Sequence, residues 1–139
     1  MLKATIMCSL VLSSFFHKSN LEHEERVCLE VYEKAVEQGL DPALALAVSF
    51  RESAFRSDSA SSKKAIGPMQ IIPKWCCPGR TAKGCDLVYH GVRILVKFRK
   101  KYGSWPEALC HYNAGIHCGE KSRKYAADVL KIQNKIKGL

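Results

Sequence analysis

The sequence predicts a mainly α-helical, single-domain fold with irregular loops that disulfides brace. Three observations carry the prediction. Apolar residues recur at helical spacing in several stretches, and no stretch shows sustained alternation with a period of two. Gly and Pro punctuate the chain where those stretches end. Seven cysteines, three of them in or beside a Gly- and Pro-rich segment, offer cross-links to a chain of 139 residues. With 47% hydrophobic and 25% charged residues the composition is that of a folded chain, and no repeat or linker divides it.

The N-terminus carries a basic start, Met1-Leu2-Lys3, followed by an uncharged run over residues 4–16. Thirteen residues are too few to span a bilayer, which takes about 20, but they suit the apolar core of a signal peptide. Residues 1–19 are therefore expected to be a signal peptide or N-terminal anchor ahead of a domain at 20–139. Val11 and Ser13 fit the −3 and −1 positions of a cleavage site, although no Ala-x-Ala is present. A tether through residues 4–16 that is never cleaved stays open, as does a first helix buried in the core. Without the leader, and so without Cys8, six cysteines remain: Cys28, Cys76, Cys77, Cys85, Cys110 and Cys118. In an oxidising compartment they allow three disulfides. Cys76 or Cys77 with Cys85 would close a short loop, and Cys110 with Cys118 would brace the turn between them. No Cys-x-x-Cys pair is present, and a metal site is not expected.

The elements follow in order. Residues 22–38 read as a helix with Val27, Val31, Ala35 and Val36 near one face and glutamates over much of the rest, and Gly39 stops it. Asp41-Pro42 is a cap followed by proline at the first helical position, opening an apolar helix to about residue 54. Residues 55–64 read as a Ser-rich loop, 65–73 as a turn, and 75–84 as an irregular Cys-, Pro- and Gly-rich loop. Asp86 caps a helix to Tyr102 with Val88, Val92, Leu95 and Phe98 on its buried stripe, and Gly103 ends it. Trp105-Pro106 leads into a short helix over 107–112, and a basic helix over 125–136 closes the chain.

The net charge is +9, which points to an anionic partner: nucleic acid, lipid or an acidic wall polymer. The surplus is uneven. Residues 20–62 hold 4 Lys+Arg and 9 Asp+Glu, whereas residues 63–139 hold 16 and 4. One carboxylate stands apart. Glu52 ends the apolar helix, one turn after Val48 and two after Ala45. Partial burial and the negative end of the helix dipole would both raise its pKa, as a general acid requires. An exposed helix-end Glu paired with Arg51 or Arg56 is the alternative that periodicity leaves open.

Further motifs surround it. Arg51-Glu52-Ser53-Ala54-Phe55 is followed by Gly67-Pro68-Met69-Gln70, then by His111-Tyr112-Asn113-Ala114-Gly115, then by Tyr125 at the head of the last helix. This order and spacing, over about residues 27–131, resembles the soluble lytic transglycosylase domain of the lysozyme-like superfamily. The family pattern is Glu-Ser, Gly-Leu-Met-Gln, Ala-Tyr-Asn-Ala-Gly and a late Tyr. The chain departs from it at Pro68 for Leu, His111 for Ala and Leu87 for Asn. His111 is expected to face solvent.

The resemblance implies a lysozyme-like fold and cleavage of the β-1,4 bond between N-acetylmuramic acid and N-acetylglucosamine. It implies Glu52 as the catalytic acid and then base, with no cofactor. Ser53, Gly67, Met69, Gln70, Tyr112, Asn113 and Tyr125 are the implied substrate-binding and supporting residues. Ser53 would orient Glu52 or touch substrate, and Met69 and Gln70 would line the groove. Tyr112 and Asn113 would meet the N-acetyl group or position Glu52, and Tyr125 would reach toward the acid. Trp75 and Trp105 are either sugar-stacking or core residues. The implied partner is peptidoglycan rather than nucleic acid, acted on by an exported monomer in the periplasm or outside the cell. A hydrolytic lysozyme using the same Glu52 and a non-catalytic basic wall-binding module are the competing readings. Domains of this kind serve phage lysis, secretion and conjugation machinery.

Overall fold

The computed structural model describes residues 2–139; Met1, the first residue of the basic start, lies outside them. Seven α-helices make up the described chain: α1 (Leu2–Phe15), α2 (Glu22–Glu37), α3 (Pro42–Ser53), α4 (Pro73–Cys76), α5 (Leu87–Tyr102), α6 (Trp105–Ala114) and α7 (Glu120–Lys137). A 3₁₀ turn at Pro78–Arg80 follows α4. The expected mainly α fold is what forms, and among the described residues no strand longer than an isolated bridge is present.

The helix starts follow the capping chemistry of the sequence. The Asp41 carboxylate accepts from the Ala43 N–H at 3.0 Å, with Pro42 in the first turn of α3. The Asp86 carboxylate accepts from the Tyr89 N–H at 3.0 Å, and α5 ends on Gly103 in the left-handed region. Helix α6 is longer than the sequence predicts, because it starts at Trp105 and runs on to Ala114. Helix α7 starts five residues before Tyr125, at Glu120. The stretch over 75–84, expected as an irregular loop, is partly helical through the end of α4 and the 3₁₀ turn.

Helix α3 is the hub. Ala43 through Ser49 are all buried, and α3 packs on α2 and α7. Helix α5 packs on α2 and α6, and α6 packs on α7. One core joins them, with Leu44, Leu46, Val48, Val92, Leu95, Leu109 and Val129 all closed to solvent. Residues 59–71 form a knot in which the bridges Ala60–Ile66 and Ile66–Ile71 fold the loop back over the end of α3.

The N-terminal segment has a place in this core. Ala4, Cys8, Val11 and Leu12 of α1 are buried, and α1 packs on α2. Cys8 is bonded to Cys28. The cysteine expectation is therefore corrected: Cys28 pairs with a residue of the apolar segment, and Cys76 is left as the free thiol. Cys77–Cys85 and Cys110–Cys118 form the two short loops anticipated from the sequence. Among the described residues, no helix is long and apolar enough to cross a membrane.

Candidate active site

Glu52 lies in the last turn of α3, at the end of an apolar helix whose burial carries the carboxylate partway into the core. The Tyr125 hydroxyl, from α7, donates to Glu52 Oε2 at 2.8 Å. Burial pushes the Glu52 carboxyl up to about 7, against smaller opposing effects of the Tyr125 hydrogen bond and the Arg51 charge. Burial also lifts both nearby phenols, Tyr125 and Tyr112, well above the usual tyrosine range, and the Glu52 charge adds to it. Both therefore stay protonated and act as donors. Arg51 rests over the Tyr125 ring at 5.4 Å and reaches Asp128 at 4.0 Å, which braces the α3–α7 contact on its outer side.

The facing segment is the loop around Gly67-Pro68-Met69-Gln70, held chiefly through its backbone. Ser53 Oγ donates to the Pro68 carbonyl at 2.9 Å, and Ser49 Oγ, one turn earlier, donates to the same oxygen at 3.0 Å. The Tyr112 hydroxyl donates to the Met69 carbonyl at 2.6 Å. The Gln70 amide donates to Ser59 O and Gly67 O, both at 3.0 Å, and locks its own loop. Gly67 has φ +79, a backbone that strains a residue with a side chain, and a Cβ there would also press on Leu87 Cδ1 at 2.8 Å.

The structure thus brings Glu52, Ser53, Gly67, Met69, Gln70, Tyr112 and Tyr125 together through contacts that link α3, α6, α7 and the loop. The side-chain placements refine the sequence expectation. Met69 is fully buried and sits against Gly91, where a Cβ would lie 2.5 Å from Met69 Cβ. What Met69 offers the site is its carbonyl. Asn113 is exposed, and its Oδ1 accepts from Ser122 Oγ at 2.8 Å. Trp75 is exposed, with the Lys74 ammonium over its ring, while Trp105 packs against the core. His111, expected to face solvent, is stacked on Tyr102 at 3.8 Å and bonded to the Gly115 carbonyl.

Sequence reasoning missed Ser49 and Ser122. Ser49 was within reach of it, because it precedes Ser53 by four residues and so shares its helix face. Glu107, His111 and Cys118 bring potential metal-ligand atoms within 4.8 Å of one another. Cys118 is committed to its disulfide and Glu107 to Arg123 at 2.7 Å, so the trio is a poor donor set.

Other carboxylates in the neighbouring segments are paired with cations. Asp58 is bonded to Arg56 at 3.0 Å, and Asp128 faces Arg51. The geometry is one carboxyl with a raised pKa beside a tyrosine hydroxyl, facing a loop rigidified by hydroxyl-to-carbonyl hydrogen bonds. The family model of the transglycosylase SLT domain matches residues 31–135. No curated protein matches the chain.

Proposed function

The chain belongs to the transglycosylase SLT family, and on that footing we propose that it is a peptidoglycan lytic transglycosylase in which Glu52 serves both proton transfers. The observation that carries the reading is the state of Glu52, half-buried, bonded to Tyr125 and with its pKa raised to about 7. A carboxyl of that pKa is protonated in a large fraction of molecules at neutral pH and is still basic once it has given up its proton.

The steps follow. Glu52 protonates the oxygen of the β-1,4 bond between N-acetylmuramic acid and N-acetylglucosamine, and that bond breaks. Positive charge develops at C1 of the muramyl residue, where the substrate's own N-acetyl group stabilises it. The Glu52 carboxylate then takes the proton from the C6 hydroxyl, and O6 bonds to C1 to close a 1,6-anhydro ring. A two-carboxylate glycosidase would need a second acid beside the first. The charged group acting on Glu52 is instead Arg51, and Asp58 and Asp128 are paired elsewhere, which supports the one-carboxylate scheme.

The remaining residues support that carboxyl and the groove. Tyr125 holds Glu52, Ser53 and Tyr112 fix the Pro68-Met69 backbone, and Gly67 and Gln70 shape the loop that meets the glycan. Asn113, exposed at the end of α6, is available to the N-acetyl group. The basic half of the chain draws it to the acidic wall polymer. The disulfides fit an exported protein. Mass spectrometry of digested peptidoglycan tests the reading: muramyl ends lighter by one water are expected. Ends that are all free and reducing would replace it with a hydrolytic lysozyme.

A further inference from the structure

Three successive residues of the turn that follows Glu52, Phe55, Arg56 and Ser57, each contact one short stretch of chain. Ala54 and Phe55 both have left-handed backbones, φ 51 and 61, which side-chain-bearing residues rarely adopt without support. Phe55 is fully buried, in an aromatic cluster with Phe16 at 6.4 Å and Phe50 at 5.9 Å. Phe50 in turn meets Phe15 at 4.7 Å and Phe16 at 5.8 Å. The next residue, Arg56, is bonded to Asp58 at 3.0 Å and also reaches the buried carboxylate of Glu24 at 3.6 Å, where Lys18 pairs with the same oxygen. The residue after that, Ser57, donates its backbone N–H to His23 Nε2 at 3.1 Å. Phe15, Phe16, Lys18, His23 and Glu24 all belong to the end of α1, the start of α2 or the link between them, and Cys8–Cys28 ties those helices together.

We propose that the segment from Phe15 to Glu24 positions the catalytic carboxylate, with Phe16 and Lys18 as positioning residues that clamp the left-handed turn after Glu52. The inference rests on the function proposed for Glu52. It assigns a working role to residues that composition places in a leader. Phe50 and Glu52 lie on opposite sides of α3, so the aromatic cluster backs the helix against which the carboxylate is presented. Loss of the clamp lets the end of α3 fray and water reach Glu52. Its charged neighbour Arg51 and the phenols of Tyr125 and Tyr112 then act through a wetter medium, and the carboxyl returns toward its ordinary range.

The test uses the full chain with Phe16→Ala, Phe16→Leu and Lys18→Met, and Val36→Ser at an exposed site of α2 as the control. Expected for Phe16→Ala is a kcat lower by about tenfold to 100-fold at little changed KM, with the alkaline limb of the rate profile moved to lower pH. Phe16→Leu restores most of both, and Lys18→Met, at a half-exposed ammonium and so with less risk of unfolding, moves both in the same direction. A carbon-13 titration of the Glu52 carboxyl in the same variants reads the effect without turnover and is expected to shift downward. A wild type that leaves peptidoglycan intact would sink the proposed function, while the titration would still judge the clamp. Variants that lose thermal stability yet keep the wild-type kcat, pH limb and carboxyl titration overturn the clamp. So does an active species that begins at residue 20 with unchanged kcat.

Discussion

The two sides of the site are built by different means. The α3–α7 side is a pair of packed helices: Ala43 to Ser49 and Val129 are buried, and the side chains of Glu52 and Tyr125 meet across them. The 67–70 side is a loop whose Gly67, Pro68 and Met69 are buried, and it is fixed by hydroxyls of Ser49, Ser53 and Tyr112 on its carbonyls. The helical side sets a proton affinity, because burial is what a helix core supplies. The loop side sets a shape, because hydrogen bonds to backbone fix where a chain runs rather than what it titrates.

Breaking the helical side is expected to have the largest effect. Glu52→Gln keeps the shape and the Tyr125 contact but removes the proton, and wall-clearing activity should fall by about a thousandfold or more. Turbidity loss of a peptidoglycan suspension measures it. The same variant should be more stable than wild type at alkaline pH. Glu52 has a folded pKa of about 7, above the ordinary value of 4.5. The folded state therefore holds the proton more tightly, and stability falls as pH rises from about 4.5 to about 7. Above that window the cost is at most about 3 kcal/mol, and Glu52→Gln removes it. Thermal melts on the acid and alkaline sides of that window should show the variant's advantage on the alkaline side alone.

Tyr125→Phe sharpens the comparison from the α7 side. The lost hydrogen bond was lowering the Glu52 pKa, so the alkaline limb of activity should move up in pH while kcat drops by about tenfold. The loop side should respond differently and least. Ser49→Ala removes one hydrogen bond to Pro68 O and should cost about 1 kcal/mol of stability by chemical denaturation. Its pH limb should stay where the wild type has it. A shifted limb in this variant would erase the distinction between the two sides.

Helices α3 and α5 were legible because their signals are local. Asp41-Pro42, Asp86 and Gly103 mark ends through capping, and the Val88, Val92 and Leu95 stripe marks a face. The Glu52–Tyr125 bond joins residues 73 apart in sequence, and periodicity does not carry such a pairing. It was anticipated through family resemblance. Met69 is deep in the core because Gly91 leaves it room, a complementarity between two elements that neither stretch of sequence displays alone. The apolar segment at 4–16 reads as a leader because it lacks charge, and a helix packed on α2 through Cys8, Val11 and Leu12 has the same composition. Neither the packing surface on α2 nor the Cys8–Cys28 bond is displayed by that stretch of sequence alone.

Digestion of purified peptidoglycan in oxygen-18 water tests the central claim most directly, since a single carboxyl that moves both protons needs no water in the bond-forming step. Wild type is expected to give anhydromuramyl products with no label at the new ends, and Glu52→Gln to give no products. Oxygen-18 in every new muramyl end, or equal product from Glu52→Gln, would contradict it.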